Sequence, residues 1–270
     1  MKTRAITGFF FIIVMLASVL LGHYTFGIFY LVLSAFALYE FYGLVKQSGI
    51  QPNLSTGLSN GIFVYAVFAL IASDNTAVYH KPLFLLALTL SFIFIQELYK
   101  KSETPFTNIA YTIMGIIYAV VPFTFFHALA YTQGGFNFHF PLAFLIMLWS
   151  NDTGAYLSGR FFGRTKLFER HSPKKTWEGF IGGVLIAVVA AHIISIYYHD
   201  LSRSQWKIMA VLIGCFGTLG DLVESMFKRS INVKDSGGIL PGHGGLLDRF
   251  DGLLLSAPIV YAYLYLITNS

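Results

Sequence analysis

Charge is what this sequence has least of: 11% of its 270 residues are Asp, Glu, Lys or Arg, where ordinary soluble domains carry roughly 25%. With 56% hydrophobic residues, that scarcity excludes water as the main solvent. Cysteine is almost missing too. Cys215 stands alone within an apolar stretch, which rules out an intrachain disulfide and a thiolate metal site and leaves it as a small buried residue. No Gly-x-x-x-x-Gly-Lys-Ser/Thr run occurs, so phosphate binding by a Walker loop is excluded. Internal repeats and low-complexity tracts are absent as well.

What the chain has in abundance is apolar runs, and about 20 helical residues suffice to cross a hydrocarbon core. They predict an all-α, polytopic transmembrane helical protein of about nine spans, at 6–22, 26–45, 58–73, 82–98, 108–131, 140–162, 177–198, 206–227 and 252–268. Lys2 and Arg4 ahead of the apolar stretch Phe9 to Leu21 imitate a signal peptide. The next apolar run follows almost at once, so an uncleaved first helix is expected. Loops rich in Lys and Arg stay in the cytoplasm. A cytoplasmic N-terminus places fifteen of the 18 basic residues inside and only Lys81, Arg203 and Lys207 outside. The net charge of +5 then belongs to a surface facing anionic lipid headgroups, and nucleic acid is not an expected partner.

Residues 1–135 read as a transmembrane scaffold with few ionisable groups, and 136–270 as the catalytic region, with cytoplasmic loops 160–176 and 228–251. An ionisable residue within a span costs about 2.5–3.5 kcal/mol on insertion scales and is a functional candidate by default. Asp152, Asp221, Glu224 and Asp251 are such residues. At about 100° per residue, Asp221, Glu224, Ser225 and Lys228 share one helix face. The two carboxylates and the hydroxyl suit a divalent cation, and an i,i+4 pair of Glu224 with Lys228 is the plainer alternative.

The loop from Lys234 to Gly245 holds five glycines and His243. Such a backbone approaches phosphate closely, although a flexible connector needs glycine as well. Asp248 and Asp251, three apart beside Arg249, share the first turn of the last span, where the helix dipole accounts for one carboxylate but not for the whole group. Lys174 and Lys175 precede a helix start and form a phosphate cradle. Membrane anchoring of the lysines, with capping by Thr176 and Glu178, is the structural alternative. Asn151 to Tyr156 adds a polar face with Asp152 and Tyr156.

Taken together, Ser225-Met226-Phe227-Lys228-Arg229, Lys234-Asp235, Pro241-Gly242-His243-Gly244-Gly245 and Asp248-Arg249-Phe250-Asp251 resemble the signature of the phosphatidate cytidylyltransferase family. Ser172 to Thr176 and Asn151 to Gly154 resemble further motifs of that family, so the likeness covers roughly the second half of the chain. The resemblance implies transfer of CMP from CTP to phosphatidic acid, giving CDP-diacylglycerol and pyrophosphate. It implies Mg²⁺ and a second, monovalent cation such as K⁺, in a homodimer of the plasma (inner) membrane whose site faces the cytoplasm. Asp221, Asp248, Asp251 and Lys228 would be catalytic, the three aspartates holding metal together with Glu224. Lys174, Lys175, Arg229, Lys234, His243, Gly244, Gly245 and Arg249 would bind substrate. A phosphate monoester is already an anionic nucleophile, so catalysis would rest on positioning and charge neutralisation.

Two rivals remain. A CTP-dependent lipid kinase of the polyprenol type needs similar groups, and a secondary transporter also carries intramembrane carboxylates. The Asp-Gly-x-x-Ala-Arg core of CDP-alcohol phosphotransferases is missing.

Overall fold

A computed structural model describes residues 2–74, 81–233 and 244–268, with side chains from residue 8 onward. The chain runs α1 (Lys2–Leu20), α2 (His23–Gln47), α3 (Leu54–Ser73), α4 (Pro82–Leu98), α5 (Pro105–Ala119), α6 (Val121–Leu129) and α7 (His139–Phe162). A hairpin of β1 (Lys166–Phe168) and β2 (Ser172–Thr176) follows, then α8 (Trp177–Tyr197), α9 (Arg203–Ser230) and α10 (Leu247–Thr268).

Among the described residues six helical stretches are long and apolar enough to cross a membrane: α2, α3, α5 with α6, α8, α9 and α10. Gly8–Leu20 and Pro82–Leu98 are shorter apolar helices. α7 has the length, at 24 residues, but Asn151, Asp152, Thr153 and Arg160 dilute its apolar character. An all-α membrane architecture is therefore what the chain forms.

Two details depart from expectation. The fifth expected span is two helices meeting at Val120, with Pro122 in the first turn of α6; proline there has no amide to continue the ladder of α5. The expected loop 160–176 contains an antiparallel hairpin, pairing Lys166 with Thr176 and Phe168 with Ser172. Strands of three and five residues are too short to leave an alternation pattern in sequence.

Local chemistry fixes the helix starts around the hairpin. Thr176 accepts the Gly179 amide at 3.2 Å and so caps α8. Glu178 in turn accepts the amides of Arg164 and Thr165, both at 3.1 Å, tying the exit of α7 to the entry of α8. Ser202 and Gln205 form a reciprocal capping box at the start of α9, which satisfies two amides that the helix itself cannot.

α7, α8 and α9 pack against one another, and α10 lies on both α9 and α6. Glycine sets the separations. A Cβ at Gly183 would stand 2.8 Å from the Asn151 carbonyl, and one at Gly252 only 3.6 Å from the Gly217 Cα. A Cβ at Gly220 would strike the carbonyl oxygen of Asp251. α9 and α10 thus touch backbone to backbone, the close approach that small residues permit between membrane helices, at the level of Asp221 and Asp251.

The N-terminal half is not uniformly apolar. Glu97, 3% exposed, accepts from Asn53 at 3.0 Å and from Asn108 at 2.7 Å, and Lys100 reaches both Glu97 and Asn53. A buried carboxylate satisfied by several donors locks α3, α4 and α5 at one end.

Candidate active site

The close contact of α9 and α10, the start of α8 and the second half of α7 enclose a chamber of about 480 Å³, within the roughly 300–1,000 Å³ range of small-molecule sites. Four carboxylates, Asp152, Asp221, Asp248 and Asp251, line it together with the cations Arg160, Lys174 and Lys175. Opposite charges are arranged around one cavity rather than scattered. Phe180, Leu167 and Tyr156 also line it.

Asp221 comes from α9, where its Oδ2 lies 2.7 Å from Lys175 Nζ and its Oδ1 accepts weakly from Ser225 at 3.5 Å. Asp251 enters from α10, its Oδ1 accepting the Gly252 amide at 2.7 Å. Asp152, Asp221 and Asp251 stand within electrostatic reach of one another. Asp248, one turn earlier on α10, accepts Lys228 Nζ at 2.6 Å on Oδ1 and the Gly245 amide at 3.3 Å on Oδ2. Gly244 has φ +83°, and a Cβ there would sit 2.9 Å from the same Oδ2, so glycine lets the turn close over the carboxylate.

Lys228 also meets Glu224 Oε2 at 2.7 Å. Glu224 is 2% exposed and is not among the chamber's lining residues. Of its two expected roles, metal ligand and partner of Lys228, the structure displays the ion pair. Lys228 likewise bridges α9 to Asp248 from behind the wall instead of facing the cavity. Arg229 and Arg249 are exposed and do not line the chamber; each follows a pairing residue by one position, and 100° of helical rotation turns it away. Lys234 and His243 lie outside the described residues.

The geometry brings the expected Lys174, Lys175, Asp221, Asp248 and Asp251 to one cavity together with Asp152, a candidate the sequence left without a role, and adds Arg160. Arg160 was visible in sequence only as one more basic residue. Its guanidinium lies 3.3 Å from the Tyr156 hydroxyl, one helical turn away, which is the signal an i,i+4 scan would have caught.

Among the described residues no three His, Cys, Asp or Glu side chains form a ready-made metal cage. Mg²⁺ does not require one, because it is commonly held by one or two carboxylates plus substrate phosphates. Asp221 and Asp251, hard oxygen donors on one wall with Asp152 beside them, fit that mode. Asp248 lines the same chamber and is shared with Lys228 as Asp221 is with Lys175, whereas Glu224, off the wall, fits that mode less well.

Fold and site together define a membrane-embedded protein whose helices enclose, towards one end, a chamber lined by four carboxylates and three cations. The chain belongs to the cytidylyltransferase family, a family of nucleotidyltransferases, which matches residues 2–267. It is 33% identical to a phosphatidate cytidylyltransferase of Staphylococcus haemolyticus over 264 residues, covering 96% of this chain and 97% of the relative. Similar proteins of the same description occur in Staphylococcus aureus, 34% identical over 264 residues with the same coverage, and in Bacillus subtilis, 34% identical over 270 residues and 98% of both chains.

Proposed function

We propose that this chain transfers CMP from CTP to phosphatidic acid, releasing pyrophosphate and leaving CDP-diacylglycerol in the membrane. The observation that carries the reading is the chamber itself, where Lys174, Lys175 and Arg160 face Asp152, Asp221 and Asp251, in a chain alike over nearly its whole length to phosphatidate cytidylyltransferases. An oxygen of the lipid phosphate attacks the α-phosphorus of CTP in line, and the bond from that phosphorus to the pyrophosphate oxygen breaks. No proton needs to move on the protein, since the attacking group is an anion at neutral pH.

Lys174, Lys175 and Arg160 hold the phosphates against one another's repulsion, and a fixed array of cations lowers the barrier because it needs no rearrangement as charge shifts. Thr176 and Glu178 keep the hairpin that presents the two lysines in register with α7. Lys175, on Asp221 at 2.7 Å, exchanges that partner for phosphate when substrate enters. Asp221 and Asp251, with Asp152 beside them, would hold Mg²⁺, which would supply neutralisation of the charge on the nucleotide phosphates and on the departing pyrophosphate.

The finer topology belongs to the same proposal: nine spans, with the N-terminus and the chamber on the cytoplasmic side of the plasma membrane. It is supported by the fifteen basic residues that this orientation collects on one side. In a chain with Cys215 replaced by Ala, cysteine at Arg164 should resist an impermeant thiol reagent in intact cells, whereas cysteine at Lys207 should react. A homodimer and a monovalent cation such as K⁺ rest on the family likeness alone. Mass measurement in detergent and activity in K⁺-free buffer test them.

The decisive assay gives the purified chain phosphatidic acid, Mg²⁺ and CTP labelled at the α-phosphate. Label should enter the organic phase. Label that stays in water as CDP would instead establish the lipid-kinase alternative.

A further inference from the structure

The start of α10, which carries Asp248 and Asp251, has a capping problem. The first amides of any helix lack an acceptor within the helix, and the position just before α10, where Ser, Thr, Asp or Asn ordinarily serves, is Leu246. A leucine side chain accepts nothing. Two of the orphaned amides are served from α2, more than 200 residues earlier: Glu40 Oε2 takes the Leu246 amide at 2.6 Å and Glu40 Oε1 takes the Leu247 amide at 3.2 Å, while the Arg249 amide turns back to the Leu246 carbonyl at 3.0 Å.

Glu40 is 5% exposed and sits in α2 among Ala37, Leu38, Phe41 and Leu44, all buried. An ionisable residue is expensive in such a helix and is kept where it serves a function. Its neighbour Phe41 stacks on Phe227 of α9 with ring centroids 4.8 Å apart and planes at 10°, immediately before Lys228. α2 therefore grips both halves of the chamber wall, α10 through Glu40 and α9 through Phe41. The turn that Glu40 holds is also the one whose Gly245 amide binds Asp248 Oδ2.

From this we infer that Glu40 is a positioning residue: by capping α10 from α2 it fixes the turn at 245–247 and, through it, the direction in which Asp248 and Asp251 enter the chamber. It touches no substrate itself. The role rests on the function proposed above, but the capping contact can be measured without it.

Glu40→Gln keeps the shape and one acceptor oxygen while turning an amide group toward the second backbone N–H; Glu40→Ala removes both acceptors. Losing hydrogen bonds to a charged group should lower kcat about tenfold in Glu40→Gln and about a hundredfold in Glu40→Ala. The KM for CTP should change by less than about threefold, because Lys174, Lys175 and Arg160 are untouched. Amide exchange at Leu246 and Leu247 should quicken in both variants while the amides of α3 and α8 keep their protection. Glu97→Gln, a change at the other buried carboxylate of the N-terminal half, should leave amide exchange at Leu246 and Leu247 as in wild type, because its partners lie in and beside α3, α4 and α5.

Unaltered exchange at Leu246 and Leu247 in the Glu40 variants, or the same quickening there in Glu97→Gln, would overturn the inference. So would a Glu40→Gln enzyme of normal kcat, and that isosteric variant carries the test if Glu40→Ala does not fold. A wild-type chain that makes no CDP-diacylglycerol would refute the proposed function, and the exchange measurement would still decide whether Glu40 caps α10.

Discussion

Replacing Lys228 by Met keeps most of the side-chain volume and deletes the charge that Glu224 and Asp248 share. Lys228 is 14% exposed, with its Nζ 2.7 Å from one carboxylate and 2.6 Å from the other. At an effective dielectric of about 20, each contact is worth roughly 6 kcal/mol of attraction, most of which the desolvation of three charges offsets. The cost of removing the cation is set by what it leaves behind. Two carboxylates then face each other without a counter-charge, and breaking a buried pair in this way costs about 3–5 kcal/mol.

At roughly 2–4 °C per kcal/mol for a chain of this size, Lys228→Met should lower the melting temperature in detergent by about 6–20 °C. Adding Glu224→Gln removes the more deeply buried of the two orphaned charges and should recover at least half of the loss. The assay is thermal unfolding of the wild type, both single variants and the double, which closes a mutant cycle. A Lys228→Met protein melting within about 2 °C of wild type, or a double variant no better than Lys228→Met alone, would refute the account of Lys228 as the clamp between α9 and α10.

Asp221→Asn and Asp251→Asn should each reduce turnover by orders of magnitude while the protein still inserts, since neutral side chains enter membranes more easily. Groups that act on one ion are not additive, so the double variant should be scarcely worse than either single; multiplicative losses would show that the two work apart. Lys174→Ala with Lys175→Ala should raise the KM for CTP or phosphatidic acid, whereas Lys46→Ala with Lys101→Ala should not; equal effects would assign the role to surface charge in general. Lys100 is unsuitable for that comparison because it belongs to the buried Glu97 network. Gly220→Ala drives a methyl against the Asp251 carbonyl and should cost about 1–3 kcal/mol of stability along with most of the activity. Gly135→Ala, with open space around it, should do neither, and normal turnover in Gly220→Ala would mean that the α9–α10 spacing is immaterial.

The solvent, the helical class and most of the chamber's charged residues were readable from the amino-acid order alone. Hydropathy depends on composition along a stretch of chain, so spans announce themselves locally. Asp221, Asp248, Asp251, Lys174 and Lys175 stood out because a charge in or beside an apolar run is rare. Glu40 and Glu97 also fall inside expected spans, but nothing local sets them apart from the scaffold or names their partners.

Tertiary structure decided the pairings. The i,i+4 spacing already offers Glu224 to Lys228, but only the packing of α9 against α10 brings Asp248 to the same lysine and leaves Glu224 off the chamber wall. Arg229 and Arg249 share motifs with site residues but point elsewhere, since one residue of helical rotation separates wall from surface. Glu40 reaches Leu246 only because folding brings α2 beneath the start of α10. A carboxylate and an amide some two hundred positions apart acquire their relation from packing alone, and no pattern along the chain encodes it.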